Sequence, residues 1–205
     1  ALVDRYLQRL EHNLHTIGHP GQILVMLSNG ALATTETART FPVRLIESGP
    51  AAGAIAAAEA GRRLSLQNLL SFDMGGTTAK ACIIEEGRPS IANEFEVARL
   101  KRFSRGSGLP LQISSVELIE IGAGGGSIAR VDPFGLIQVG PDSAGSEPGP
   151  VCYARGGILP TVTDADLILG YLDPNFFLGG RMQLDRASTE DAIGQQIAEP
   201  LGMSV

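Results

Sequence analysis

One stretch, "LLSFDMGGTTAKACIIEEG" from Leu69 to Gly87, leaves the chain little choice of local structure. Two apolar, β-type runs flank Gly75-Gly76-Thr77-Thr78, a pattern that predicts two strands joined by a tight glycine turn. The GxxxxGK(S/T) pattern is absent and a strand, not a helix, is expected next, so this is no Walker A loop. Two uses of the turn remain open. It is a plain hairpin with an exposed Asp73, or a loop that holds a phosphate. Glycines bring backbone amides within reach of an anion because no Cβ intervenes. The Thr77 and Thr78 hydroxyls add donors. Asp73, at the end of the first strand, is suited to hold a metal ion directly or through water.

A second cluster, "EIGAGGGSIARVD", begins like a dinucleotide fingerprint at Gly122 and Gly124. The third glycine is replaced by Ser127, and Asp132-Pro133 follows too soon for a long helix. Dinucleotide binding is therefore rejected. A glycine turn leading from a strand remains, facing a ligand or serving as a bulge or crossover. The chain holds 26 glycines in 205 residues, nearly twice the roughly 7% average. They sit in short clusters, which marks special turns and not a low-complexity tail.

Around these clusters the chain alternates helix and strand signals. Val3, Leu7, Leu10, Leu14 and Ile17 lie on one helical face, with Gly18 placed as a C-terminal cap and Pro20 beyond. "QILVMLSNG", 22–30, reads as a buried strand. "ESGPAAGAIAAAEAGRR", 47–63, predicts a helix capped by Ser48 with Pro50 in its first turn. Its small residues suit close packing on a sheet, or the approach of a ligand. "GRPSIANEFEVARL", 87–100, predicts a further strand and "KRFSRGSGLP", 101–110, a polar loop. Residues 111–132 bring a strand into the second cluster, and 134–160 is expected to be an extended loop rich in Gly and Pro. "TVTDADLILGYL" starts as a capped helix, Asp164 and Asp166 serving most simply as caps, with Asp164 a weaker ligand candidate. A last helix opens at Ser188, spaced with Asp191 as a capping box.

Net charge is −6 with no basic stripe, which argues against a nucleic-acid partner. No apolar run is long enough to span a bilayer and none resembles a secretory signal, so no membrane partner is expected. Cys82 and Cys152 lie far apart with no CxxC or Cys/His spacing, which supports neither a disulfide framework nor structural zinc. A reducing, cytoplasmic setting is expected. Cys152 has no neighbouring base, and His12, His15 and His19 are all N-terminal. Cys152 and Tyr153 are thus expected in a core.

Several segments, taken in order, resemble the hydantoinase A / 5-oxoprolinase family, which includes N-methylhydantoinase A and acetone-carboxylase beta-type subunits. They are "ESGPAAGAIAAA", "FDMGGTTAKACII", "IGAGGGSIARVD", "VGPDSAGSEPGPVCYARGG", "PTVTDADLILGYL" and "FLGGRMQLD". The resemblance implies an α/β fold of the actin-like ATPase (ribonuclease H-like) type, a mixed sheet flanked by helices. Residues 1–45 would be the end of a preceding α/β segment, and 46–205 part of the hydantoinase A-like ATPase domain.

It also implies ATP and Mg2+ as cofactors, and a reaction in which an amide or carbonyl is phosphorylated. Hydrolysis of a cyclic imide or lactam, or carboxylation of a ketone, follows. A HyuB-type subunit or domain is the implied partner. Asp73 would be catalytic and hold the metal. Gly75, Gly76, Thr77, Thr78 and Lys80 would meet phosphate, with Gly124, Gly125 and Gly126 near the cleft. Lys80 departs from the family, which often has an acid there. The family's first phosphate hairpin and the later part of its nucleotide pocket are absent from this sequence. A central fragment of a larger enzyme is therefore expected, inactive by itself. A non-catalytic module that docks a partner subunit and a small-molecule kinase of the same fold are the alternatives.

Overall fold

The computed structural model describes residues 2–97 and 108–205. Most of the loop expected at 101–110, and the end of the strand expected over 87–100, lie outside the described residues. The chain divides into two compact units, one of residues 1–73 and 81–119, the other of 74–80 and 120–205.

The first unit opens with α1 (Leu2–Thr16), which buries Leu7 and half-buries Val3, Leu10 and Leu14. The 3–4 spacing thus does form one inward stripe, while Ile17 lies beyond the helix, exposed. Gly18, at φ +82, closes the helix by donating its N–H to His15 O at 3.0 Å. β1 (Leu24–Met26) and β2 (Leu32–Thr34) form an antiparallel pair. The strand expected over 22–30 is shorter than its apolar run and begins on an exposed Leu24. Burial falls instead on Leu27 and Ser28, where the chain leaves the ladder. There the Ser28 N–H and hydroxyl both donate to Arg44 O at 2.7 Å. α2 (Thr35–Thr40) is tied to α1 by the Arg39–Asp4 ion pair and the Thr35 hydroxyl on the Glu11 carboxylate.

α3 (Ser48–Arg63) buries Ala51, Ala54, Ala58 and Gly61, a single stripe of small residues. Ala51 and Ala54 share a core with Cys82 and Val116. A Cβ on Gly61 would lie 2.2 Å from Leu69 Cδ1, so the helix comes closer to the sheet than any side chain there allows. Close packing on the sheet is therefore what the alanines serve. Ser48 is not the cap. Glu47 holds that position at φ +61 with no side-chain bond to the helix, and Ser48 is already inside it.

β3 (Leu69–Met74) and β4 (Ala79–Glu85) are neighbours in one sheet, and β5 (Arg88–Pro89) pairs antiparallel with β4. The strand expected over 87–100 is broken into β5, β6 (Ile91–Ala92) and β7 (Phe95–Val97). β7 pairs with β8 (Leu109–Leu111) and β6 with β9 (Ser115–Val116), both antiparallel. β10 (Ile119–Ile121) completes the order β10–β4–β3.

In the second unit, β11 (Ser127–Val131) and β12 (Ile137–Ser143) form an antiparallel ribbon with a bulge after Ser127. The expected loop over 134–160 thus contains a seven-residue strand and a 3-10 turn at Val151–Tyr153. Asp132 explains the strand: its carboxylate accepts the Phe134 and Leu136 N–H groups at 2.9 Å each. Gly135 takes φ +77, and the chain folds back with Val131 opposite Ile137. α4 (Val162–Ile168) follows. α5 (Arg186–Ile193) runs through a π-helical turn at 194–198 into α6 (Glu199–Leu201). The cap of α5 is Asp185, accepting from Ser188 N–H at 3.0 Å and its hydroxyl at 2.7 Å. Ser188 is thus a donor inside the first turn, and not the capping residue its spacing with Asp191 predicts. Cys152, Leu167 and Leu184 form the core of this unit, with Tyr153 and Phe177 packed against it. Cys152 and Tyr153 are core residues, as expected. Among the described residues no helix is long and apolar enough to cross a membrane.

Candidate functional site

The glycine turn and the second glycine cluster both belong to the second unit. Gly75 N–H donates to Thr78 O at 2.9 Å, so Gly76 and Thr77 are the two connecting residues of a tight hairpin. Neither Gly75 nor Gly76 takes a positive φ. A Cβ built on Gly76 would meet nothing within 4 Å, and one on Gly75 only Thr78 O at 3.6 Å. The turn itself therefore does not require glycine at 76. The space in front of it is open.

Its carbonyls, by contrast, are taken. Gly125 N–H donates to Gly75 O at 2.9 Å and Gly126 N–H to Gly76 O at 2.8 Å. In a trans peptide the carbonyl oxygen and the following N–H point to opposite sides. Pinning the Gly75 and Gly76 oxygens therefore turns the Gly76 and Thr77 N–H groups the other way. Among the described residues no protein acceptor takes the Gly76, Thr77 or Thr78 N–H. A Cβ on Gly124 would lie 2.6 Å from Gly75 O, Thr77 N and Thr78 N alike. Only glycine at 124 lets the second cluster approach the turn this closely. The result is a short run of aligned amide donors with its back fixed, an arrangement suited to an oxyanion.

The second cluster is itself held. Gly124 N–H donates to Ser127 Oγ at 2.9 Å, and Ser127 N–H returns to Gly124 O at 2.9 Å. A strand, β11, follows at Ser127, which removes the helix that a dinucleotide fingerprint needs. Ala144 N–H donates to Gly126 O at 2.8 Å, and a Cβ on Gly126 would strike Ser143 Oγ at 2.8 Å. Gly125 O receives two donors from one residue, the N–H and the hydroxyl of Thr163, each at 2.8 Å.

Thr163 sits in the first turn of α4, whose start is a capping box between Thr161 and Asp164. Asp164 is fully buried. Its Oδ2 accepts Thr161 N–H and hydroxyl at 2.8 Å each and Val151 N–H at 3.2 Å, while Oδ1 accepts Cys152 N–H at 2.8 Å. These four donors engage both carboxylate oxygens within the protein, so Asp164 caps the helix and crosslinks it to the 151–152 turn. Burial, with the Asp164 carboxylate close by, pushes the Cys152 thiol up. That removes the thiolate a nucleophile would need.

Asp73 is exposed near the end of β3, and Lys80 is half-buried at the start of β4. Among the described residues no three His, Cys, Asp or Glu side chains gather as a metal cage. The structure brings Gly75, Gly76, Thr77 and Thr78 together with Gly124, Gly125 and Gly126, the second group buttressing the first. Ser127, Ser143 and Thr163 complete the arrangement, and sequence reasoning missed all three as supports.

A family model described as hydantoinase/oxoprolinase matches residues 1–205. Caprolactamase subunit alpha of Pseudomonas jessenii is 40% identical over 100% of this chain and 28% of its own length. The crystal structure of that ATP-dependent caprolactamase superposes with a TM-score of 0.69 over 99% of this chain. The acetophenone carboxylase gamma subunit of Aromatoleum aromaticum is 38% identical over 99% of this chain and 28% of its own length. A nucleotide-free structure of acetone carboxylase, solved for its ATP-dependent carboxylation, matches with a TM-score of 0.72 and 34% identity. It covers 98% of this chain and 27% of that one. The chain therefore spans under a third of the length of these relatives and shares their α/β fold. By its sequence and its fold, the chain belongs to the hydantoinase/oxoprolinase family.

Proposed function

We propose that this chain is the central part of an ATP-dependent subunit of the hydantoinase/5-oxoprolinase type. In this reading residues 46–205 are part of its ATPase domain and 1–45 end a preceding α/β segment. The observation that carries it is Gly76, a glycine that neither its backbone angle nor its packing requires, at a turn whose amides are aligned and unclaimed. A phosphate approaching the backbone does require it. Gly76, Thr77 and Thr78 would donate to phosphate oxygens, with Gly75 closing the turn and Lys80 adding positive charge. Gly124, Gly125 and Gly126 hold the turn from behind.

Mg2+ prefers one or two carboxylates with phosphate and water to a protein cage. The exposed Asp73 carboxylate near the end of β3 is of that kind. When bound, ATP with Mg2+ supplies a phosphoryl group to activate an amide or carbonyl oxygen. Substrates would be cyclic amides or ketones, the partner a HyuB-type subunit or domain, and the setting a reducing cytoplasm. The subunit names of the caprolactamase and acetophenone carboxylase relatives support a partnered assembly.

The test is phosphate release by the complete protein with its partner, offered hydantoins, 5-oxoproline, lactams and ketones. Stimulation by at least one, abolished by Asp73→Ala, is expected. No stimulation by any of them refutes the proposal. A phosphorylated product that accumulates without ring opening or carboxylation points to a kinase instead.

A further inference from the structure

We propose that Thr163 is the positioning residue of the hairpin at 74–80, acting on it through Gly125. The inference rests on reading that hairpin as the phosphate site.

One carbonyl receives both donors that Thr163 owns. The N–H at 2.8 Å would by itself satisfy Gly125 O, so the hydroxyl, also at 2.8 Å, adds direction and not mere satisfaction. With two donors on its oxygen, the Gly125 carbonyl is held in one orientation. The Gly126 N–H, in the same peptide plane as that carbonyl, is thereby aimed at Gly76 O at 2.8 Å, and the adjoining Gly125 N–H meets Gly75 O at 2.9 Å. The hydroxyl also fills the place of a missing side chain, since a Cβ on Gly125 would lie 2.8 Å from Thr163 Oγ1.

Thr163 is itself anchored. The residues around it, Thr161 and Asp164, close a capping box, and the buried Asp164 carboxylate also draws in the Val151 and Cys152 amides. The hydroxyl does not serve its own helix: it crosses 38 positions of sequence to reach Gly125. A rigid helix start therefore sets the height of the turn that would meet phosphate, with the Gly125–Gly126 peptide as the spacer between them.

The test uses the complete protein with its partner, as wild type, Thr163→Val and Thr163→Ser. Amide hydrogen exchange at Gly125 and Gly126 is measured without nucleotide, and the Kd for ATP with Mg2+ by calorimetry. Thr163→Val is expected to raise exchange at both amides about five- to tenfold and to weaken ATP binding by a similar factor, the scale of one hydrogen bond. Thr163→Ser, which keeps the hydroxyl, restores both to within about twofold of wild type. Exchange within α3, in the other unit, stays as in wild type. Unchanged exchange at Gly125 and Gly126 in Thr163→Val overturns the inference. So does a rise of the same size in α3, or a Thr163→Ser protein as impaired as Thr163→Val. Wild-type protein that does not bind ATP overturns the phosphate reading and the ligand half of the inference, whereas the exchange result decides the positioning half separately.

Discussion

The Gly125 amide lies 2.9 Å from the Gly75 carbonyl oxygen, which makes the second glycine cluster the support of the first. The two clusters look alike in sequence and differ in task. One presents free amides, and the other uses its amides to hold carbonyls. That difference gives the glycines opposite tolerances to substitution.

Gly124→Ala drives a Cβ to 2.6 Å from three backbone atoms of the hairpin. Backbone cannot yield as a side-chain tip does, so a loss of about 1–3 kcal/mol is expected, measured by denaturant unfolding. Gly76→Ala places its methyl in open space and leaves the unfolding midpoint unchanged. Its ATP affinity falls at least about tenfold, because the methyl stands where phosphate would approach. A Gly76→Ala protein that binds ATP normally removes the main support for the phosphate reading.

Asp164→Asn keeps the volume and replaces one acceptor oxygen by an NH2 group facing protein donors. Among Val151, Cys152 and Thr161 at least one N–H loses its partner in a fully buried place. The expected cost is at least about 1.5–3 kcal/mol, again by denaturant unfolding. Cys152, whose N–H is one of those held, should become reactive toward thiol reagents in the variant before global unfolding.

In the wild type both thiols should resist labelling. Cys82 and Cys152 are buried, and burial raises the thiol pKa of each above its ordinary value. Little thiolate forms at pH 8, so a chromogenic disulfide reagent is expected to react with neither until denaturant is added. Fast labelling of Cys152 in the native protein would show that its surroundings are looser than this packing.

The cap of α5 gives a pH dependence of known sign. The Ser188 hydroxyl and N–H donate to Asp185 and hold its carboxyl below the ordinary carboxylate value. Its contribution to stability is complete above that ordinary value and is lost as pH falls through the lowered one. The protection of the 186–193 amides, taken relative to their intrinsic exchange rate at each pH, should therefore fall at acid pH in wild type. Asp185→Ala should show the lower protection already at neutral pH, with no further change of that origin on acidification.

Local chemistry was legible where a residue acts on near neighbours. The α1 stripe with its Gly18 cap, the tight hairpin at Gly75-Gly76 and the capped start of α4 follow from spacing, although the cap itself is Thr161 and Asp166 lies inside the helix. The α5 cap was misplaced because Ser188 and Asp191 match a pattern of the same spacing as Asp185 and Ser188, and the helix starts at the earlier pair. β12 was missed because glycine and proline density hid the signal, although Asp132-Pro133-Phe134-Gly135 is a turn sequence between two β-rich runs. Thr163 was out of reach for another reason. Its partner lies far along the chain, and one sequence does not tell which loop a hydroxyl will meet.

The bonds on Gly75 O and Gly76 O have a consequence for encounter with a ligand. The conformational freedom of the turn is lost when the second unit folds, not when an anion arrives. Under the proposed phosphate reading the turn is a preformed receptor: affinity would be fixed by how firmly its back is bolted, and association would need no closing motion of the turn itself.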